Sequence, residues 1–149
     1  MKALPIHSPK VVAPPGATWS NALLIGNEVI MSGVTARAAP NQAVGSSPVL
    51  SIPVLNTYEQ AIAIFEKIEA QLIAVGGNRR NIIKLTVYLT NIADKQALAD
   101  ARNSFFAASL NASDEPHLFP CSTLVGVNHL AFPELTIEID VLARLDVTL

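Results

Sequence analysis

Residues 23–33 read LLIGNEVIMSG, in which two apolar runs flank a Gly26–Asn27 pair. This arrangement predicts a β-hairpin, because glycine adopts the positive φ that a tight primed turn requires. Both runs are apolar at consecutive positions, so we expect both faces of the hairpin to be covered. The second run ends at Ser32–Gly33, and the stretch after Arg37, which is rich in proline, glycine and serine, predicts a loop.

A long helix is predicted after this loop. Asn56 and Glu59 have the spacing of a capping box, and Gly76–Gly77 lies where a helix would end. The apolar residues that recur at helical spacing between them are Ala61, Ile64, Phe65, Ile68, Leu72 and Val75. A second helix is predicted from Asp94, a candidate N-cap, to about Ala108.

Alternation of apolar and polar residues predicts three further strands. The apolar face of the first consists of Ile83, Leu85, Val87 and Leu89. The second strand spans residues 122–127, and the third begins at Leu135 and contains Glu138 between two isoleucines. The order hairpin, helix, strand, helix and two strands predicts a single α+β domain over residues 1–149, with one mixed sheet and both helices on one of its faces.

The composition limits the classes of protein to which the chain can belong. Of its 149 residues 50% are hydrophobic and only 15% charged, against about a quarter charged in ordinary soluble domains. The net charge of −2 argues against a nucleic-acid partner. The longest uncharged stretch, residues 38–58, contains three prolines, so we expect no membrane span and no membrane partner. A lone Cys121 excludes an intrachain disulfide and favours the reducing cytoplasm.

One face of the predicted sheet is left without a cover. The large side chains assigned to this face are Leu24, Ile30, Tyr88 and Leu124. They form an apolar surface that is unfavourable in water. Together with the low charge, this surface predicts self-association through the sheet.

The candidates for chemistry are few. His7, His117 and His129 lack metal-ligand spacing among themselves and with Cys121, so we assign no metal and no cofactor. Two interpretations stay open for Cys121: a small buried hydrophobic residue, or a nucleophile. Glu138 is the strongest candidate, because a carboxylate on a covered sheet face is costly unless it is paired or used. Two interpretations stay open for it: a salt bridge at the rim, or a general acid/base or water-positioning group in a cleft between subunits.

Three segments, residues 26–33, 119–127 and 135–143, together resemble the signature segments of the RidA family, also called YjgF-like and labelled endoribonuclease L-PSP. The resemblance covers nearly the whole chain in the same element order. It implies a chorismate-mutase-like fold, with a six-stranded mixed sheet and two helices, that assembles as a homotrimer. It also implies that clefts between the subunits bind small carboxylates and hydrolyse reactive enamines or imines, such as 2-aminoacrylate, to ketones and ammonia.

The resemblance further implies roles for particular residues. Glu138 corresponds to a glutamate that places the hydrolytic water, and Ser32–Gly33 to a turn whose backbone contacts the substrate. Trp19 corresponds to an aromatic residue of the family. The position of the arginine that binds the substrate carboxylate, after Cys121, holds Ser122 here, and a hydroxyl does not replace a planar guanidinium.

A narrower similarity, to 2-aminomuconate deaminases, rests on residues 32–37, Asn41, residues 44–45 and the spacing within residues 127–135. It implies that Arg37 contacts an anion, and the alternative is a solvated loop arginine. The residues that we expect to form the site are Glu138 as the catalytic group, with Ser32, Gly33, Arg37, Trp19, Cys121 and Ser122 as the substrate-binding groups.

Three functions stay open at this point. The first is an enamine or imine hydrolase of the RidA type that lacks the strand arginine. The second is a non-catalytic trimer that binds or senses a small ligand, and the third is a mutase-like activity on the same scaffold. The retained Glu138 favours an enzyme, whereas the missing arginine favours the binding protein.

Overall fold

The computed structural model describes residues 1–38, 55–110, 113 and 117–149. The strands are β1 (Ala3–Pro5), β2 (Ala22–Ile25), β3 (Glu28–Val34), β4 (Ile82–Leu89), β5 (Cys121–Gly126) and β6 (Ile137–Arg144). The helices are α1 (Thr57–Ile73) and α2 (Lys95–Ala107), and short 3₁₀ turns precede β4 and α2. Most of the predicted loop that follows Arg37, including Asn41 and residues 44–45, lies outside the described residues, as does most of the stretch 111–116.

The strands form one mixed sheet in the order β1-β2-β3-β6-β4-β5. Neighbouring strands are antiparallel except β4 and β5, which run parallel. The predicted α+β fold, with a six-stranded mixed sheet and two helices packed against it, is thereby confirmed. Strand β1 was not predicted from the residue pattern, because three residues are too few for alternation to show. None of the helices described is long and apolar enough to cross a membrane.

Local sequence signals set the hairpin and the ends of α1. Gly26 has φ +61° in the turn between β2 and β3, as the hairpin prediction requires. The Asn56 side chain accepts a hydrogen bond from the Glu59 backbone N–H at 2.9 Å, and the Glu59 carboxylate accepts one from the Asn56 N–H at 2.9 Å. Gly76 at φ +79° ends the helix. The capping box and the glycine terminus are therefore confirmed.

Helix α2 begins as predicted, but Asp94 has a different role from the one expected. Its carboxylate makes no hydrogen bond to the first turn of α2. It accepts instead a hydrogen bond from the Thr57 hydroxyl at 2.5 Å, at the start of α1. Asp94 therefore joins the beginnings of the two helices.

The core lies between the helices and one face of the sheet. Phe65 of α1 stacks on Phe105 of α2 with 4.7 Å between the ring centroids. The prediction that Ile83 belongs to the buried face of β4 is wrong, because the pairing with β6 shifts register between Ile82 and Lys84. This irregularity places Ile82 in the core instead.

The opposite face of the sheet, called here the outer face, has no cover among the described residues. Directly paired residues share a face, so Ile30 lies beside Leu142, and Tyr88 lies between Glu138 and Val125 on this face. Ile30 is 41% exposed and Val125 is 38% exposed. An uncovered face with large side chains is present, as predicted.

Two residues that were assigned to the outer face belong to the other side. Leu24 pairs with the buried Val29, and Leu124 pairs with the buried Val87, so both lie on the helix side of the sheet. Leu124 is still 39% exposed, because β5 is an edge strand. Alternation identifies the two sets of residues on a strand but does not say which set faces the helices.

Candidate functional site

The candidate site lies at an irregularity in the pairing of β3 with β6. Their register shifts between Met31 and Val34, so that Ser32 and Gly33 together stand opposite one residue of β6, in a β-bulge. The bulge brings Gly33 against Glu138: a Cβ at Gly33 would lie 1.8 Å from Glu138 Oε1. Glycine allows this position of the carboxylate, which occupies the space that a side chain at residue 33 would need. Glu138 and Gly33 are therefore in direct contact.

The surroundings of Glu138 favour its protonated form. Its side chain is half-buried, and burial raises the pKa of its carboxyl, with the negative charge of Asp140 as the smaller cause. Within residues 1–38, 55–110 and 117–149, no Lys, Arg or His side chain forms an ion pair with it. The salt-bridge interpretation therefore finds no partner in the described chain. A carboxyl with a raised pKa and no cation is suited to exchange a proton with a bound molecule.

Tyr88, which the sequence pattern predicts only as part of an apolar surface, is a neighbour of Glu138. It pairs with Glu138 across β4 and β6, and its hydroxyl donates a hydrogen bond to Asp140 Oδ2 at 3.1 Å. The charge of Asp140 raises the pKa of Tyr88, and this hydrogen bond adds to the effect. The hydrogen bond therefore holds the Tyr88 proton toward Asp140 and leaves the Glu138 carboxyl available to a ligand.

Ser32 connects the bulge to the segment that contains Trp19. Its hydroxyl donates to the Ser20 carbonyl at 2.7 Å, and its N–H donates to the Asn21 carbonyl at 2.9 Å. Trp19 is 54% exposed and lines a concavity of about 460 Å³, together with residues from the segments 5–13 and 20–22. Ser32 thus orients the Trp19 segment beside β3, and Trp19 lies at a concavity separate from the Glu138–Gly33 contact.

Arg37 is not a freely solvated arginine. Its guanidinium carbon lies 3.8 Å from the centroid of the Phe132 ring, which is a cation–π contact. Lys67 of α1 donates hydrogen bonds to the Thr35 carbonyl at 2.7 Å and to the Arg37 carbonyl. The segment that follows β3 is therefore fixed from two sides, by Phe132 and by Lys67, and no sequence motif points to either residue.

The Lys67 ammonium gives a pH-dependent prediction. Burial lowers its pKa from 10.5 to about 8. Between these values the unfolded chain holds the proton and the folded chain does not, so the free energy of unfolding rises with pH through this window. We expect Lys67→Met to remove that rise. Urea unfolding at about pH 7 and about pH 9.5, at one protein concentration, measures it, and an equal pH dependence in both proteins would contradict the prediction.

Ser122 faces away from Glu138. It pairs with the buried Leu85 on the helix side of the sheet, and Arg102 Nη1 of α2 donates a hydrogen bond to its hydroxyl at 3.0 Å. Because Glu138 lies on the outer face, one chain does not bring the two side chains into one cleft. Two copies of the chain are required for both residues to contact the same ligand.

Cys121 is an exposed free cysteine at the start of β5. It pairs with Lys84, and the Lys84 ammonium donates to the Thr123 hydroxyl at 2.6 Å. The interpretation of Cys121 as a small buried hydrophobe is therefore wrong, because β5 is an edge strand. Throughout the described ranges, no three His, Cys, Asp or Glu side chains lie close enough together to hold a metal ion.

Comparisons with known proteins agree with this architecture. Residues 10–145 match the family model described as endoribonuclease L-PSP. A RutC family protein of Aquifex aeolicus is 28% identical over 138 residues, which cover 93% of this chain and 96% of that protein. The structure of a Pseudomonas aeruginosa protein of unknown function is 43% identical, with a TM-score of 0.81 and coverage of 99% and 96% of the two chains.

A structure of RidA from an Antarctic Psychrobacter is 28% identical, with a TM-score of 0.69, and covers 95% of this chain and 98% of that one. The family match extends over almost the whole length, and the relatives share both sequence and fold. The chain therefore belongs to the RidA family, the YjgF-like proteins whose family model is described as endoribonuclease L-PSP.

Proposed function

We propose that this chain is a small-molecule hydrolase of the RidA type, which acts on an enamine, an imine or a related reactive catabolic intermediate at clefts between subunits. The observation that carries the proposal is the contact between Glu138 and Gly33. It presents a half-buried carboxyl with a raised pKa, which has no ion-pair partner among the described residues, against the backbone of a glycine. Such a group can both donate and accept a proton in a reaction.

The chemistry requires one proton donor that becomes a base. Protonated Glu138 gives its proton to the carbon of the enamine double bond, and the enamine becomes an iminium ion. The resulting carboxylate takes a proton from water while the water oxygen bonds to the iminium carbon. The C–N bond of this adduct then breaks, so that a carbonyl compound and ammonia leave and Glu138 is again protonated after the proton transfers are complete.

The outer face supports the assembly that this proposal requires. Glu138 lies on that face among exposed apolar side chains such as Ile30 and Val125. Covering the face with other copies of the chain, as a homotrimer, would remove apolar surface from water and enclose Glu138 in a cleft. The exposed thiol of Cys121 favours the reducing cytoplasm as the place where the protein works.

The direct test supplies reactive substrates as they form. A serine dehydratase generates 2-aminoacrylate, an amino acid oxidase generates a series of 2-imino acids, and release of the 2-oxo acid is followed with and without the protein. We expect faster release from at least one of them. Tight binding of a 2-oxo acid without faster hydrolysis would instead favour the non-catalytic binding protein. The serine at position 122, where the family has an arginine, is the observation that favours this alternative.

Gly33→Ala tests the carboxylate position without removing the carboxylate. The new Cβ would lie 1.8 Å from Glu138 Oε1, so the flexible end of Glu138 must move. Since only that end is displaced, we expect the variant to fold, with activity at least tenfold lower. The matched control is Gly126→Ala, because a Cβ at Gly126 meets no atom within 4 Å. Wild-type activity in Gly33→Ala would show that the observed position of Glu138 is not the active one.

A further inference from the structure

The guanidinium of Arg102 has no carboxylate partner among the described residues. Arg79 pairs with Glu69 and Arg144 pairs with Asp146. The hydrogen bond that Arg102 makes goes to a neutral hydroxyl, that of Ser122, and in the described ranges no carboxylate forms an ion pair with it. A guanidinium stays protonated at every physiological pH and has several N–H donors in one plane, so most of its donors remain available to another partner.

The surroundings of Arg102 indicate a surface that contacts another molecule. Its side chain is half-buried on α2, where it reaches across to the edge strand β5. Phe119, just before β5, is 57% exposed and packs edge-on against Phe106, one turn along α2 from Arg102, with 6.2 Å between the ring centroids. Phe119 and Ser122 thus both contact α2, and an exposed aromatic ring on such a surface is typical of one that is covered by a ligand or a partner.

We propose that Arg102 is the anion-binding residue of this protein's small-molecule site and that its ligand carries a carboxylate. The Ser122 hydroxyl accepts one hydrogen bond from Arg102 and so orients the guanidinium, while its own proton can be given to the ligand. A planar guanidinium binds a carboxylate with two parallel hydrogen bonds. In this chain, the guanidinium beside position 122 therefore belongs to Arg102 of helix α2 and not to a residue of strand β5.

The geometry also assigns the two halves of the site. Ser122 lies on the helix side of the sheet and Glu138 on the outer face. A ligand that touches both must lie between two copies, with Arg102 from one copy and Glu138 from the other. This inference rests on the proposed function, but it concerns binding and can be measured without turnover.

The first experiment compares a carboxylate with its neutral amide. Binding of pyruvate and of pyruvamide to the assembled protein is measured by calorimetry for wild type, Arg102→Gln and Lys95→Gln. We expect Arg102→Gln to weaken pyruvate binding by about tenfold to a hundredfold, because it removes charge-assisted hydrogen bonds, and to leave pyruvamide binding unchanged. Lys95→Gln removes the same charge from an exposed position on the same helix and should leave both affinities as in wild type.

Equal pyruvate binding by wild type and Arg102→Gln would overturn the proposal, and so would an equal loss in Lys95→Gln, which would indicate only a long-range effect of charge. The second experiment exchanges the two residues. The double variant Arg102→Ser/Ser122→Arg moves the guanidinium from the helix to the strand, and we expect it to recover the preference for pyruvate over pyruvamide. A folded double variant without that preference would also contradict the proposal.

These outcomes are separable from those of the proposed function. If hydrolysis depends on Glu138 while pyruvate binding is indifferent to Arg102, the hydrolase stands and this inference fails. If pyruvate binding depends on Arg102 while no enamine or imine is hydrolysed, the binding site stands and the protein is a carboxylate-binding member of its family.

Discussion

Replacing Glu138 with glutamine is expected to lower the rate of hydrolysis by about a hundredfold or more while the subunit assembly persists. Glutamine has nearly the same shape, so the packing against Gly33 is retained. It carries no exchangeable carboxyl proton, so it can neither protonate the enamine nor accept a proton from water. The measurement is the rate of 2-oxo acid release at saturating substrate, together with light scattering to confirm the assembly.

The matched control is Asp140→Asn. Asp140 lies two residues along the same strand, on the same face, and its charge is one of the two causes that raise the pKa of Glu138. If protonated Glu138 is the acid, activity falls as the pH rises through that pKa. Asp140→Asn should therefore retain most of the activity and shift this fall to lower pH, because one of the causes that raise the pKa is removed. Glu138→Gln at the wild-type rate on a confirmed substrate would eliminate the catalytic role.

Local signals account for the parts of the fold that the sequence predicted well. The turn at Gly26 and the capping box of Asn56 and Glu59 depend on residues within four positions of one another, so the sequence alone contains them. Strand β1 and the place of Ile82 in the core depend on pairing with distant strands. Tertiary pairing decides such features, and no local pattern encodes them.

The residues of the candidate site also divide into those that the sequence could identify and those that it could not. Glu138 could be found because a carboxylate between two isoleucines of one strand conflicts with a covered sheet face. Arg102 and Lys67 could not be found, because each occupies the polar side of an amphipathic helix, where charged residues are ordinary. Only the register of β5 shows that Ser122 faces Arg102 and not Glu138, since alternation is equally consistent with either face.

A lysine on the outer face is expected to disrupt the subunit assembly. Ile30→Lys should dissociate the assembly and abolish hydrolysis with it. Ile30 is 41% exposed in the single chain and pairs with Leu142 on the face where Glu138 lies. If other copies cover this face, the new lysine of each copy would be buried as an unpaired ammonium, which costs several kcal/mol per ion. Since each 1.4 kcal/mol changes an association constant tenfold, assembly should weaken by more than about a hundredfold.

Ile73→Lys is the control for this variant, because Ile73 is 63% exposed and lies at the end of α1, away from the outer face. A lysine there is also compatible with the negative end of the helix dipole. Sedimentation at micromolar concentration should show monomers for Ile30→Lys and the wild-type assembly for Ile73→Lys. If Ile30→Lys remained assembled and active, the outer face would not be the interface. If it became a monomer that still hydrolysed substrate, Glu138 would act without a second copy, and a site shared with Arg102 of a neighbouring subunit would be excluded.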